Sequence, residues 1–361
     1  SLGSDYYFNG QPSSGVAQTA VSNPDITWES ATKTDVGIEA GFLQNRLSIE
    51  FDYFNDLRQD ILRNINLPWT VGDLAAPAEN LASVRNKGWE FSTNYTQNFG
   101  KLRLSGGFNV THVTNEVVKI PDPQVGFLIL KEGESMNAFY MWKATGIFKS
   151  QEEVDNSPVP VGRTTLPGDI KFEDVGGPDG KPDGKIDADD RQVVGKPIPT
   201  WTYGIHLSAA YGGFDLGVLM QGVAGVQSYV GGELYFPFLN GAGVPDRWEA
   251  GNTWTPDHVN AKLPRLLQYS APTWNYENNS FWLQDASFLR VKNIQIGYSV
   301  PDKLISRLKV IKGLRIYANG QNLFTFTKFE GLDPERFPTN TTGANQYPNI
   351  RIITGGVNIK F

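Results

Sequence analysis

The chain contains no cysteine and only three histidines, His112, His206 and His258. Without cysteine there is no disulfide framework, no thiolate metal site and no thiol nucleophile. The histidines stand singly in unrelated contexts, so no imidazole cluster suggests a zinc site or a proton shuttle. A basic excess is missing too: 32 Lys and Arg face 38 Asp and Glu, for a formal charge of −6, which leaves no basic stripe for nucleic acid. No Ser nucleophile elbow or phosphate-cradling Gly loop is present, and the expectation is of a protein that is not an enzyme. Long apolar runs are also lacking. The nearest approach, Leu216 to Gly232 (LGVLMQGVAGVQSYVGG), is uncharged but interrupted by Gly and Gln. The opening residues, SLGSDYYFNGQPSSG, show neither the basic nor the apolar region of a secretory signal. Absence of a membrane helix leaves membrane strands open, because their alternating signal is much weaker.

What is abundant is glycine (38 of 361 residues) and aromatic side chains (12%), with 40% hydrophobic and 19% charged residues, enough to bury a core. The dominant period is two. In RLSIEFDYF, Leu47, Ile49, Phe51 and Tyr53 share one face, and Ser48, Glu50 and Asp52 the other. KLRLSGGFNVT, FDLGVLMQ and NIQIGY repeat the pattern, with Leu219 intruding on the polar face of the second. Such alternation specifies strands with one apolar and one polar side. Nine strands are expected, roughly 28–43, 46–63, 84–98, 101–115, 199–211, 214–228, 284–299, 314–326 and 350–361. A single short helix is expected within Asp302–Val310, behind Pro301.

The connections alternate between short and long. Gln44-Asn45, Gly100 and Gly212-Gly213 carry tight-turn chemistry, while the long connections hold most of the Pro, Trp and Asn. That sorting suits a membrane barrel, with short periplasmic turns, long extracellular loops, an apolar outer wall and a polar lumen. Aromatics near strand ends (Trp28, Trp201, Tyr203, Tyr211, Trp282, Tyr298, Phe324, Phe326) suit interfacial girdles. A closed bacterial barrel has an even strand number with both termini on the periplasmic side. Nine strands therefore read as the C-terminal part of something larger, with 1–27 an extracellular loop remnant. The other long connections, 116–198, 229–283 and 327–349, read as extracellular, the first an insertion with an Asp-rich loop.

Several ordered stretches carry a family likeness: NPDITWE (Asn23–Glu29), SVRNKGWEFSTNY (Ser83–Tyr95), PGDIKFEDVGGPDGKPDGKIDADDRQVVGKPIPTWTYG (Pro167–Gly204), DASFLRVKNIQIGYSVP (Asp285–Pro301), LRIYANGQNLFTFTKFEGLDPE (Leu314–Glu335) and a terminal Phe361. Together they resemble the C-terminal portion of SusC/RagA-type TonB-dependent transporters of Bacteroidetes, over nearly the whole chain. The resemblance implies an all-β fold: about nine strands of a plugged antiparallel barrel of roughly 22, with the plug domain and N-terminal strands absent here. It implies import of oligomeric nutrients, glycans before peptides, across a Gram-negative outer membrane. The implied partners are a SusD-like surface lipoprotein acting as lid, a companion N-terminal barrel and plug segment, TonB, the barrel assembly machinery and the lipid membrane, with no nucleic acid. It also marks the amphipathic end, Val357, Ile359 and Phe361, as a barrel-assembly signal.

The strongest local motif is DGKPDGKIDADD. In an EF-hand framing, Asp179, Asp183, Asp187 and Asp190 fall at ligand positions, with the Lys185 carbonyl between them and Gly184 at the sharp turn. Calcium is one expectation for this loop; a carboxylate turn held by backbone N–H groups and Arg191 is the other. Lys181 at a usual ligand position and the short Asp190 depart from the pattern. Loop aromatics Trp69, Trp142, Trp248, Trp254, Trp274 and Tyr276 either stack on sugars or partners, or pack loop on loop. Arg103, Asn109, Gln221, Asn319 and Gln321 are expected on the lumen side. Outside the family likeness, the competing architecture is a secreted, calcium-stabilised β-sandwich that binds glycans.

Overall fold

The computed structural model describes residues 2–8, 10–16, 20–64, 70, 72, 74–231, 235–236, 251–267, 273–305, 310–336 and 347–361. Nine long strands dominate: β1 (Ser30–Phe42), β2 (Leu47–Asn64), β3 (Ala78–Phe99), β4 (Leu102–Lys119), β5 (Trp201–Tyr211), β6 (Phe214–Ala224), β7 (Phe288–Ser299), β8 (Gly313–Thr327) and β9 (Ile352–Lys360). They form one antiparallel sheet in which each strand pairs with its neighbours in sequence. Every strand expected from the alternation is present. The boundaries move where a bulge or a second pairing hides the period. β3 starts at Ala78 rather than near 84 because the register shifts between Ser83 and Val84, which breaks the two-residue repeat. β6 ends at Ala224 rather than 228: Gly225 turns at φ +68, and Gln227–Tyr229 pairs instead with Leu283–Asp285. That same small pair explains why β7 begins at Phe288.

One end of the sheet carries tight turns. Leu43, Gln44 and Asn45 all take positive φ, and Gly212 (φ 57) with Gly213 (φ 94) makes a two-residue hairpin in the sense that matches strand twist. The other end carries the long connections. Residues 2–16, expected as a loop remnant, contain a hairpin of Leu2–Phe8 with Gln11–Val16. The expected helix near 302 spans Asp302–Ile305, and 306–309 lie outside the described residues.

Register sorts the two faces. Val36, Tyr53, Trp89, His112 and Trp201 form one row on the apolar side; Phe42, Leu47, Tyr95, Gly106, Leu207, Val218 and Ile294 form another. A third, Phe99, Leu102, Tyr211, Phe214, Tyr298, Ile316 and Val357, lies at the tight-turn end. Aromatic rings meet in the first and last of these rows: His112 lies 4.4 Å from Trp201, and Phe214 lies 4.5 Å from Tyr298. From Trp201 to Tyr211 a strand climbs about 34 Å, and a 45° tilt makes that about 24 Å, the height of a membrane barrel's apolar band.

Among the described residues this apolar face is largely uncovered; Val36, Ile38, Leu207, Ile296 and Ile353 are all exposed. The buried core sits instead in the long connections. Phe139, Met141, Ile170, Phe172, Ile186, Tyr229 and Trp282 pack together there. Beside them, Ala138–Trp142 is flanked by Arg191–Gly195 and Leu128–Leu130, the latter pairing with Gln124–Val125. A stacked sandwich with a dry interior between sheets is not what the described residues form.

Candidate functional site

The polar face is the first candidate surface. Arg103, Asn109, Gln221, Asn319 and Gln321 all project from it, as the alternation requires. Its most distinctive feature went unread in the sequence. Asp35, Glu39, Glu50, Asp52 and Glu90 share the polar side of β1 to β3. Glu50 accepts from the Ser92 hydroxyl at 3.2 Å and Glu90 from the Thr111 hydroxyl at 3.1 Å. A cavity of about 120 Å³ opens among Glu50, Asp52, Glu90 and Asn109. The signal was available: both polar positions between the apolar residues of SIEFDYF are acids, and Glu90 follows from pairing β3 on β2.

Near the tight-turn end, Arg315 of β8 reaches across β7 to Asp215 of β6, donating from Nε at 3.0 Å and from Nη2 at 2.5 Å. The guanidinium passes over Gly297, where an added Cβ would stand 2.4 Å from the Arg315 Nη2 and 2.6 Å from the Asp215 Oδ1. Only glycine leaves room for that crossing.

At the long-loop end, Arg290 of β7 is 4% exposed and donates from Nη2 to Asp333 at 2.6 Å, from Nη1 to Glu335 at 2.5 Å, and from Nε to the Thr325 hydroxyl at 2.9 Å. Lys292 also pairs with Glu335. Desolvation alone would raise the Asp333 carboxyl, but the Arg290 guanidinium and the backbone N–H groups of Glu335 and Asn349 outweigh it and hold it below the ordinary carboxylate range. Local sequence gives no hint of this group, because its cations and its carboxylates lie 43–45 residues apart.

The Asp-rich loop resolves into backbone capping. Asp190, 1% exposed, accepts from the N–H groups of Val175 (2.8 Å), Gly176 (3.0 Å) and Asp187 (2.8 Å). Asp187 in turn caps Asp189, and Asp183 accepts from the Lys185 N–H. Asp179 is exposed. Among the described residues, no three acidic or imidazole side chains converge to hold a metal ion. Asp190→Asn replaces an oxygen that must accept with an amide that cannot, and is expected to cost about 1–3 kcal/mol locally. Tryptic cleavage after exposed Lys185 should accelerate, and unchanged cleavage would count against the capping role.

The described loop aromatics pack within the long connections. Trp142 lies 4.4 Å from Trp274, Tyr276 is buried against Phe236, and Trp254 covers Gly168. Trp69 and Trp248 lie outside the described residues. The terminal strand places Val357 opposite Ile316 and Ile359 opposite Leu314, with Phe361 exposed beyond them.

The TonB dependent receptor-like beta-barrel family model matches residues 1–323. TonB-dependent receptor P3 of Formosa agariphila is 30% identical, covering 97% of this chain and 36% of the relative. TonB-dependent receptor SusC of Bacteroides thetaiotaomicron is 25% identical, covering 100% of this chain and 34% of its own length. The solved RagAB peptide importer in its open-open state gives a TM-score of 0.79 at 26% identity, covering 100% of this chain and 37% of that one. The chain thus spans between 34% and 37% of the length of these relatives. The nine-stranded wall, its two faces and these matches agree: the chain belongs to the TonB-dependent receptor-like β-barrel family, and within it to the SusC/RagA type.

Proposed function

We propose that this chain is wall and loop structure of a Gram-negative outer-membrane importer for oligomeric nutrients. The observation that carries the reading is a single antiparallel meander, apolar on one side and polar on the other, with neither side covered by a second sheet among the described residues. Lipid answers the apolar side, since a membrane requires every backbone group to be paired within a closed wall. A water-filled or plugged lumen answers the polar side. The long connections then face outward as a packed cap, and a SusD-like lipoprotein closes over them. TonB supplies energy through a plug seated against the polar wall, and Val357, Ile359 and Phe361 serve the barrel assembly machinery. Glycans are the leading cargo class. The likeness to the RagAB peptide importer favours peptides as the second. We assign the Asp-rich turn to holding its own backbone rather than calcium, because Asp190 already accepts three N–H groups.

Deleting the gene in its host is expected to abolish growth on one class of oligomer while growth on the monomer persists, with the same phenotype when TonB is removed. Loss confined to peptides replaces the glycan reading. Unchanged growth on all oligosaccharides and oligopeptides overturns import.

A further inference from the structure

β8 and β9 do not stay paired along their whole length. Their ladder stops at Gln321 opposite Ile352, yet β8 continues to Thr327, still paired with β7 as far as Phe288. Asn322 sits at φ +52 where the pairing ends, and the register of β7 against β8 shifts between Val291 and Asn293. The splay leaves a cavity of about 350 Å³ beside Asn322, Thr325, Pro348 and Arg351. Among the described residues, neither backbone ladder nor close packing therefore holds the segment that enters β9.

Side chains hold it instead. The Asn349 N–H donates to the Asp333 Oδ2 at 2.7 Å, and its Nδ2 donates to the Glu335 Oε2 at 2.7 Å. Asn322 Nδ2 donates to the Ile350 carbonyl at 3.0 Å. Asp333 and Glu335 are themselves gripped by Arg290 and Lys292 of β7. Arg290 grips both carboxylates and Lys292, two residues along the same strand, reaches Glu335 beside the register shift between β6 and β7. The long-loop end of β9 is thereby fastened to β7, one strand beyond its ladder partner.

We infer that Arg290, Lys292, Asp333 and Glu335 form a latch that fixes the long-loop end of β9 where backbone pairing gives out. An ion pair this buried resists opening, because separating it strands a charge away from water. The latch makes the β8–β9 junction a fixed neck whose release frays β9 from one end only.

Hydrogen exchange on the full-length protein in detergent micelles tests this without reference to cargo, so failure of the import reading leaves the outcome intact. In the native protein the amides of Glu335 and Asn349 should exchange as slowly as those of paired β8. In Asp333→Asn they should exchange at least tenfold faster, followed by Ile352 to Thr354, while Val357 to Ile359 stay within twofold. Glu335→Gln keeps the Asp333–Arg290 pair and should show a smaller acceleration confined to Asn349 and its neighbours. If Asp333→Asn does not accumulate, Glu335→Gln decides: acceleration at Asn349 supports the latch, and none overturns it. Fast exchange at Asn349 in the native protein, or equal acceleration at both ends of β9, also overturns it.

Discussion

Leu207→Arg is expected to destabilise the folded barrel by about 2–4 kcal/mol, the cost of a cation on the lipid side near the bilayer midplane. Leu207 is 49% exposed in the middle of the apolar face, flanked in register by Gly106 and Val218. Its neighbour Ser208 points to the polar face between Ser105 and Gly217. Ser208→Arg puts the same charge one residue further along, on the lumen side away from lipid, and is expected to cost less than Leu207→Arg. Urea titration of the full-length protein folded into lipid vesicles compares the two. Equal losses would mean that the two faces are not solvated differently, and the membrane assignment would fall with that result.

Asp169→Ala is expected to be comparably costly but local. The carboxylate is buried, takes Nε and Nη2 of Arg265 at 2.7 and 3.1 Å, and accepts from the Leu166 N–H and the Asn275 Nδ2, both at 2.9 Å. Asn275 also receives the Ile170 N–H at 2.8 Å, so the network ties residues 166–170 to Arg265 and Asn275. Removing the acid leaves an uncompensated guanidinium and two orphaned donors, a change worth about 3–5 kcal/mol when it happens in a buried site. The loss should appear as faster proteolysis and exchange around 163–170 and 263–283, with the wall strands unaffected. Glu153→Ala provides the contrast. Its carboxyl is held low by the Lys149 N–H and, against some desolvation, by Lys171, but it lies at the surface, where such a pair contributes about 0–1 kcal/mol. A comparable effect from both would place the packing of the long connections elsewhere.

The wall was legible in the sequence because membrane strands write their environment one residue at a time. Leu47, Ile49, Phe51 and Tyr53 declare one side, and Gly212-Gly213 declares the hairpin that follows β5. Legibility failed where the chain departs from strict alternation. The bulge at Ser83 concealed the first residues of β3, and the splay of β8 from β9 past Gln321 is written in no local period. It failed again where partners lie far apart in sequence, as Asp169 and Arg265 do, since no local period encodes them. The aspartates of residues 179–190 were visible as a motif, but which groups they answer was not. An EF-hand spacing and a backbone-capped turn both call for closely spaced acids near a Gly, and the donors of Val175 and Gly176 that meet Asp190 lie upstream of the motif.

Gly297 brings no side chain, yet its bare backbone lets a brace form between two strands that are not neighbours. Because Arg315 lies across its bare backbone to reach Asp215, β6 and β8 are tied over the top of β7 in addition to the ladders each makes with it. One added methyl group would lift that tie off the wall. The brace that the tight-turn mouth adds to its ladders thus rests on a position with no side chain at all.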